Sequence, residues 1–403
     1  MRILIVSFYY EPEIGAAPGR ITNMAKGLKD LGFDIDVLTC LPNYPKGRIF
    51  EGYRHRFSVK EQIYGINVYR YWAYATVSKN AFKRVFAMAT SAMSMFAFAF
   101  RFKLIRSYDK VIVQSPPIMV SASAVFLFKK LFKRNIVLNV SDLWPGAAVE
   151  LGFMKSGGIA FRFMSGLERF IYKNANSIMG QSQEILDRIK ELQPEKPMFL
   201  YRNLPMAIPC EPVSRDRLRS HEVLRIVYAG LLGVPQDVLS IIRNINFKEL
   251  GCEFHIYGGG NQTEEIIRLI GSGVDGVYYH GLLKKEDMIS ELSLYDVSLV
   301  SLVKSIRGAL PSKIFDILPF GMPILFSGDG EGGRIVSENE IGLVSGPSDY
   351  NGLKDNMIKF IRMDADSFRV YTDRCLVLAN GRFNFFKQMK LFEAFLQLDF
   401  FSA

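Results

Sequence analysis

Cysteine is scarce: Cys40, Cys210, Cys252 and Cys375 are scattered over 403 positions with no Cys-x-x-Cys and no metal-ligand spacing. A disulfide-stapled scaffold is excluded, and the thiols read as buried groups in a reducing compartment. Histidine is as rare. His55, His221, His255 and His280 lack ligand spacing too, so no metal site is expected. Gly-x-Ser-x-Gly and Walker sequences are absent, which removes α/β-hydrolases and P-loop nucleotidases. Acidic residues all but vanish between Lys79 and Arg134, where eleven Lys or Arg face the one acid Asp109. That stretch carries +10, the formal net charge of the whole chain, so the remainder is balanced. Inside it, the sixteen residues Val85 to Phe100 hold no charge.

With 403 residues and 49% apolar composition, two packed domains are expected rather than one core. The opening Met-Arg-Ile-Leu-Ile-Val-Ser-Phe is too short for a secretion signal and reads as a first strand over Ile3–Ser7. A glycine-bearing loop follows, then a helix from Ile21 to Leu31 and a second strand over Phe33–Thr39. This βαβ start puts Gly15 and Gly19 at the carboxyl edge of a parallel sheet, where open α/β sheets bind ligands. Gly15 there either lets a backbone approach a phosphate or sugar, or is a plain turn. The loop is not Gly-x-Gly-x-x-Gly, which disfavours a nicotinamide cofactor. Residues 42–80 read as a variable insertion ending in a strand over Val68–Tyr74. Further strands are expected at Lys110–Gln114, Asn135–Val140 and Ser177–Gly180, with helices over Met164–Asn174 and Glu184–Leu192. Asp142 ends the Asn135–Val140 strand, placed either to orient an acceptor hydroxyl or act as a base, or to cap the next helix.

The Pro- and charge-rich stretch up to Glu222 is a linker by composition, giving domains at 1–205 and 223–382 joined by 206–222. Residues 383–403 hold an amphipathic helix over Phe383–Leu398 that needs a partner surface. In the second half, strands at Leu224–Ala229, Glu253–Tyr257 and Val277–His280 each run into glycine, and helices are expected over Val238–Asn244 and Lys285–Leu292. Gly230, Gly233 and Gly258 thereby gather on one sheet edge as ligand-binding candidates. A strand over Asp296–Leu302 feeds the most informative segment, Leu310-Pro-Ser-Lys-Ile-Phe-Asp316. Ser312 is the expected N-cap, Lys313 lies in the first helical turn, Asp316 follows one turn on, and Gly321 stops the helix. A helix start carrying a lysine suits a diphosphate, and Asp316 suits the diol of a ribose. The alternative is an ordinary capped αβ unit. Glu331, after the last strong strand, is a sugar-hydroxyl ligand or a solvated turn residue.

As a helix, the uncharged run Val85–Phe100 spans about 24 Å, short of the roughly 30 Å hydrocarbon core. Basic residues flank it, and Phe126-Leu-Phe-Lys-Lys-Leu-Phe-Lys-Arg134 repeats the basic-aromatic pattern. Contact with an anionic membrane surface is expected, the helix lying on or partly entering the bilayer; a buried core helix is the competing reading. No nucleic-acid motif accompanies the charge, so nucleic acid is not an expected partner.

Together these pieces resemble glycosyltransferase family 4, nearly end to end. The resemblance rests on Phe8-Tyr-Tyr-Glu-Pro12, Ser141-Asp-Leu-Trp-Pro145, Tyr228-Ala-Gly-Leu-Leu-Gly233, Ile256-Tyr-Gly-Gly-Gly260, Pro311-Ser-Lys-Ile-Phe-Asp316 and Ser327-Gly-Asp-Gly-Glu331. Within the family the chain is most similar to the WbuB-type transferases of O-antigen and capsule assembly, which add N-acetyl-L-fucosamine. The resemblance implies the GT-B fold, two Rossmann-like domains facing across a cleft, with the C-terminal helix crossing back to the first. One departure stands out. The family's Glu-x7-Glu pattern falls here on Gly308 and Asp316, so the first carboxylate is absent and Glu331 is the candidate substitute. Paired basic residues after the first strand of the second domain are also missing, since Leu231 to Pro235 is uncharged. That leaves Lys313 to neutralise the diphosphate, with Arg20 and Arg202 as further candidates.

The implied reaction moves a sugar, with retention, from a UDP-linked donor to a polyprenyl-diphosphate-linked sugar on the cytoplasmic face of the inner membrane. No metal or cofactor beyond the donor is expected. A nucleotide-sugar epimerase on the same fold, and a non-catalytic membrane scaffold in polysaccharide assembly, are the rival readings.

Overall fold

The computed structural model describes residues 1–78, 80–152, 154–206, 223–283, 287–303 and 306–398. The chain divides into two compact units, Met1–Asn203 with Gln388–Ala403, and Leu204–Lys387. The linker expected at 206–222 lies outside the described residues from 207 onward, as does the start of the helix expected over Lys285–Leu292.

The first unit holds strands β1 (Arg2–Val6), β2 (Asp34–Cys40), β3 (Ser58–Ile63), β4 (Ile66–Tyr71), β5 (Lys110–Ser115), β6 (Asn135–Val140), β7 (Ser177–Gly180) and β8 (Met198–Leu200). They lie in the order β3-β4-β2-β1-β5-β6-β7-β8, parallel throughout except for β3 against β4. The apolar run of β1 is buried, as a central strand covered on both faces must be. β3 was not expected. Its side chains alternate between exposed and half-buried, so Lys60 and Gln62 make it read as a polar loop. The Tyr64-Gly65 turn that joins it to β4 has positive φ at both positions, 53° and 68°, as a tight hairpin requires. The first helix runs Ala16–Asp30, so Gly19 is helical rather than looped and its N–H donates to the Gly15 carbonyl. Pro18 is tolerated because the first turn has no intrahelical acceptor for its missing N–H.

The uncharged segment forms a helix over Ala81–Met95, a 3-10 stretch over Phe96–Arg101 and a short helix over Phe102–Arg106. Its small face, with Ala87, Ser91 and Ala92, is buried and packs on the Ile118–Val125 helix. Its other face is bare: Phe82 is 87% and Phe100 86% exposed. The core-helix expectation thus describes the first face. The run Phe82–Arg106 is long and apolar enough to cross a membrane, a test that the core helix of a soluble protein passes as well.

The second unit holds β9 (Leu224–Ala229), β10 (Cys252–Tyr257), β11 (Val277–Gly281), β12 (Val297–Ser301), β13 (Ile324–Ser327) and β14 (Gly342–Ser345), all parallel, in the order β11-β10-β9-β12-β13-β14. Its core joins Ile226, Tyr228, Phe254, Ile256 and Leu299 to the helix Val238–Asn244. The last helix covers Phe385–Gln397. Its residues from Gln388 on group with the first unit, where Phe392 and Phe395 stack on Phe199 at 5.4 and 5.2 Å.

Candidate functional site

In the second unit the strand order reverses between β9 and β12. Loops leaving the carboxyl ends of those strands turn to opposite faces and leave a crevice, the general ligand site of open α/β sheets. The loop after β9 is Gly230–Gly233, and the chain after β12 leads to the helix Lys313–Ile317. Lys313 folds back over the end of β9, its Nζ 3.7 Å from the centre of the Tyr228 ring. Room exists because residue 230 has no side chain: a Cβ there would stand 2.2 Å from Lys313 Cε. Gly258 has the same reason one strand over, since its Cβ would lie 1.8 Å from the Gly230 carbonyl oxygen. The two loops are laced together, with the Gly230 N–H donating to Tyr257 O and the Leu232 N–H to Gly259 O. Gly233 sits further along, closing on Gln236.

Among the described residues, no carboxylate lies within ion-pair distance of Lys313. Burial pushes its amino group down to about 7, against an upward pull from Asp316. Burial likewise pushes the Asp316 carboxyl up to about 7, opposed by the Ser312 hydroxyl and Lys313. Asp316 is exposed, so water screens its charge and moderates the upward push that the surrounding protein gives the carboxyl.

Ser312 is not the cap expected of it. Its backbone is already helical, at φ −62° and ψ −22°, and no N–H reaches its hydroxyl, which instead faces Asp316 Oδ2 at 3.4 Å. The N–H groups of Ile314 and Phe315 donate to the carbonyls of Pro311 and Ser312. The positive charge this tip presents is therefore the Lys313 side chain more than free amides. Gly308, where the family pattern has a carboxylate, adopts φ +84°, a backbone that favours glycine. Glu331 is buried in the first turn of the helix Gly330–Glu338. The neighbouring Gly332 packs on Phe326 and Ile314, so this turn lies against the helix that carries Lys313.

In the first unit, the carboxyl edge brings together Arg20, Asp142 and Gln181. Arg20 is buried in the first helix and its Nη1 donates to Gln181 Oε1. Burial lowers the guanidinium pKa, against the pull of Asp142 and of the Tyr201 hydroxyl. Asp142 is raised by burial, with Arg20 and Ser141 opposing. It does not cap the following helix, Gly146–Glu150, whose N-cap is Pro145. Gly15 is the N-cap of the first helix, where a Cβ would meet the Tyr44 ring at 3.1 Å. Arg202 is buried and its backbone is tied at both N–H and carbonyl to the Gln388 amide. Tyr228 and Gln181 were not legible beforehand. An aromatic inside a strand reads as core, and a glutamine after one reads as loop.

Residues 15–199 match the family model of the glycosyl transferase 4-like domain. The probable glycosyltransferase WbjE of Pseudomonas aeruginosa is 26% identical over 244 residues, covering 57% of this chain. The chain thus spans 61% of that curated relative. Among solved structures, the trehalose-6-phosphate structure from E. coli bound with UDP-2-fluoro glucose superposes with a TM-score of 0.71 at 10% identity, covering 99% of this chain and 100% of that one. WaaG, a glycosyltransferase involved in lipopolysaccharide biosynthesis, gives a TM-score of 0.64 at 12% identity over 98% of this chain and 100% of its own. The fold is GT-B: two units, each a sheet of parallel strands covered by helices, with β3 of the first the antiparallel exception.

Proposed function

We propose that this GT-B chain, matching a glycosyl transferase 4-like domain over residues 15–199, is a glycosyltransferase that moves a sugar from a nucleotide diphosphate to a lipid-linked sugar hydroxyl. The observation that carries the reading is Lys313, a desolvated amine at the reversal of a parallel sheet, bordered by glycine loops. A diphosphate leaving group supplies the anion that amine lacks, and a cation in a water-poor site stabilises developing charge most effectively. In the reaction the bond between the sugar's anomeric carbon and the diphosphate oxygen breaks, and the diphosphate keeps the electron pair. The acceptor oxygen bonds that carbon, and its proton passes to a base.

Asp142 is our candidate for that base, with Arg20 as the charge beside it that favours its ionised form. Asp316 takes the ribose diol, and Glu331 takes donor-sugar hydroxyls in place of the carboxylate missing at Gly308. No metal is assigned a role, because Lys313 supplies the positive charge. Our reading of the donor is a UDP-linked sugar, N-acetyl-L-fucosamine by the sequence resemblance, transferred with retention. The acceptor is a polyprenyl-diphosphate-linked sugar of O-antigen or capsule assembly, met by a peripheral enzyme on the inner face of the inner membrane. A structure bound with UDP-2-fluoro glucose and a glycosyltransferase involved in lipopolysaccharide biosynthesis share the fold, which is compatible with a UDP-linked donor.

Lys313→Ala should lower turnover by about a hundredfold or more while circular dichroism stays that of the native protein. Near-normal turnover would take Lys313 out of the chemistry. Asp316→Ala should weaken UDP binding about tenfold in calorimetry, the loss of a hydrogen bond to a charged group. Screening nucleotide sugars against a purified lipid acceptor identifies the donor; product formed without acceptor would point to an epimerase instead.

A further inference from the structure

We propose that Tyr228 is a positioning residue for Lys313: its ring is a floor that seats the amino group at the end of β9 and leaves its outward N–H donors to a diphosphate, whose binding is accompanied by proton uptake at that amine. The inference rests on the nucleotide-sugar reading given above. The ring is held at both ends. Tyr228 is fully buried within β9, paired with Ile256 of β10, and its hydroxyl donates to Leu231 O at 2.6 Å. That hydroxyl is therefore spent on the loop, and what Lys313 meets is the negative face of the ring. Gly230 opens the approach, since any side chain there would occupy the space of Lys313 Cε and Nζ.

The electrostatic consequence follows from what else faces the amine. From β9 it meets Tyr228, and from its own helix Asp316, which is outside ion-pair distance. The Gly230–Gly233 loop adds no charge, and the Gly330–Glu338 helix brings Glu331 to the same helix on its Ile314 side. A half-buried amine crowded by protein, with a ring as its nearest partner among the described residues, is partly neutral near pH 7, and a diphosphate provides a counter-charge. The lone pair of Nζ then takes a proton from the buffer as the ligand binds.

The test is calorimetry of UDP binding to the full-length protein at neutral pH, in two buffers of different ionisation enthalpy, which yields protons taken up per UDP bound. Tyr228→Phe keeps the ring and should match the wild type in affinity and proton count. Tyr228→Leu removes the ring and should weaken UDP binding roughly five- to thirtyfold. It should also raise the proton count, because the unseated amine rests more often neutral. Comparing the two variants cancels whatever Asp316 contributes. Made in an Asp316→Asn background, Lys313→Gln should abolish the uptake, and it serves as the control if the Leu variant does not fold. Equal counts with and without Lys313→Gln in that background, or Leu and Phe variants alike in affinity and count, would overturn the inference while leaving the nucleotide reading in place. A merely structural tyrosine would change the melting temperature but not the proton count. No UDP binding by the wild type would sink both.

Discussion

Gly258 sets the tolerance of the carboxyl edge of the second sheet. The atom a Cβ would strike is the Gly230 carbonyl oxygen, which is backbone and has no rotamer to move aside. Gly258→Ala should therefore part the loops after β9 and β10 and lower stability by about 1–3 kcal/mol, measured by denaturant unfolding. Because Gly230 also makes room for Lys313, the same variant should lose UDP affinity. Lys313 itself predicts a pH dependence. Its amine is charged below about 7 and neutral above, so UDP affinity should hold at lower pH and fall as pH rises through about 7. The measurement belongs in an Asp316→Asn protein, since that carboxyl also titrates near 7 and pulls the other way. An affinity independent of pH there would remove the titrating lysine from the site.

The terminal helix illustrates what an amphipathic pattern leaves open. Its apolar spacing was plain, and its need for a partner followed from burial alone, but which surface it meets is a tertiary fact. Phe392 is fully buried against Phe199 and Tyr201, with ring centres 5.4 and 5.1 Å apart. Phe392→Ala should cost about 3–5 kcal/mol, seen as an earlier denaturation midpoint, because that aromatic cluster cannot collapse around the void. Elements made by long apolar runs were legible to their ends, as at Asn135–Val140, Leu224–Ala229 and Val238–Asn244. β3 was not, because an edge strand with one half-buried face has little apolar signal. The short helices Gly146–Glu150 and Phe247–Leu250 are too brief to establish a period.

Over the whole molecule, the charge asymmetry is partly internal. Lys110 Nζ donates to Leu398 O and Lys129 Nζ to Asn176 Oδ1, and Arg134 donates to the carbonyls of Arg106, Tyr108 and Phe132. These three hold the first unit together. Arg101, Lys103, Lys130 and Lys133 are exposed, and under the function proposed above they are the residues offered to an anionic membrane. Reversing those four to Glu should release the protein from anionic liposomes, each charge contributing about 1 kcal/mol near the surface. Unchanged sedimentation with the vesicles would remove the membrane from the proposed function. Reversing Lys129 or Arg134 should instead lower the melting temperature.

The amino-acid sequence alone determined the alternation of strand and helix, the placing of glycine loops after strands, and the presence of Lys313 and Asp316 one helical turn apart. All of these are local, set by periodicity, caps and breakers within a few residues. Tertiary structure alone decided what those residues meet. Tyr228 lies under Lys313 because β9 and β12 are neighbours in the sheet. His255 and His280, which lack any ligand spacing, stack with Nδ1 and Nε2 3.0 Å apart because β10 and β11 run side by side in parallel, with a register shift that skips His280. Strand order and register are outcomes of packing the whole chain into two cores, and no window of sequence contains them.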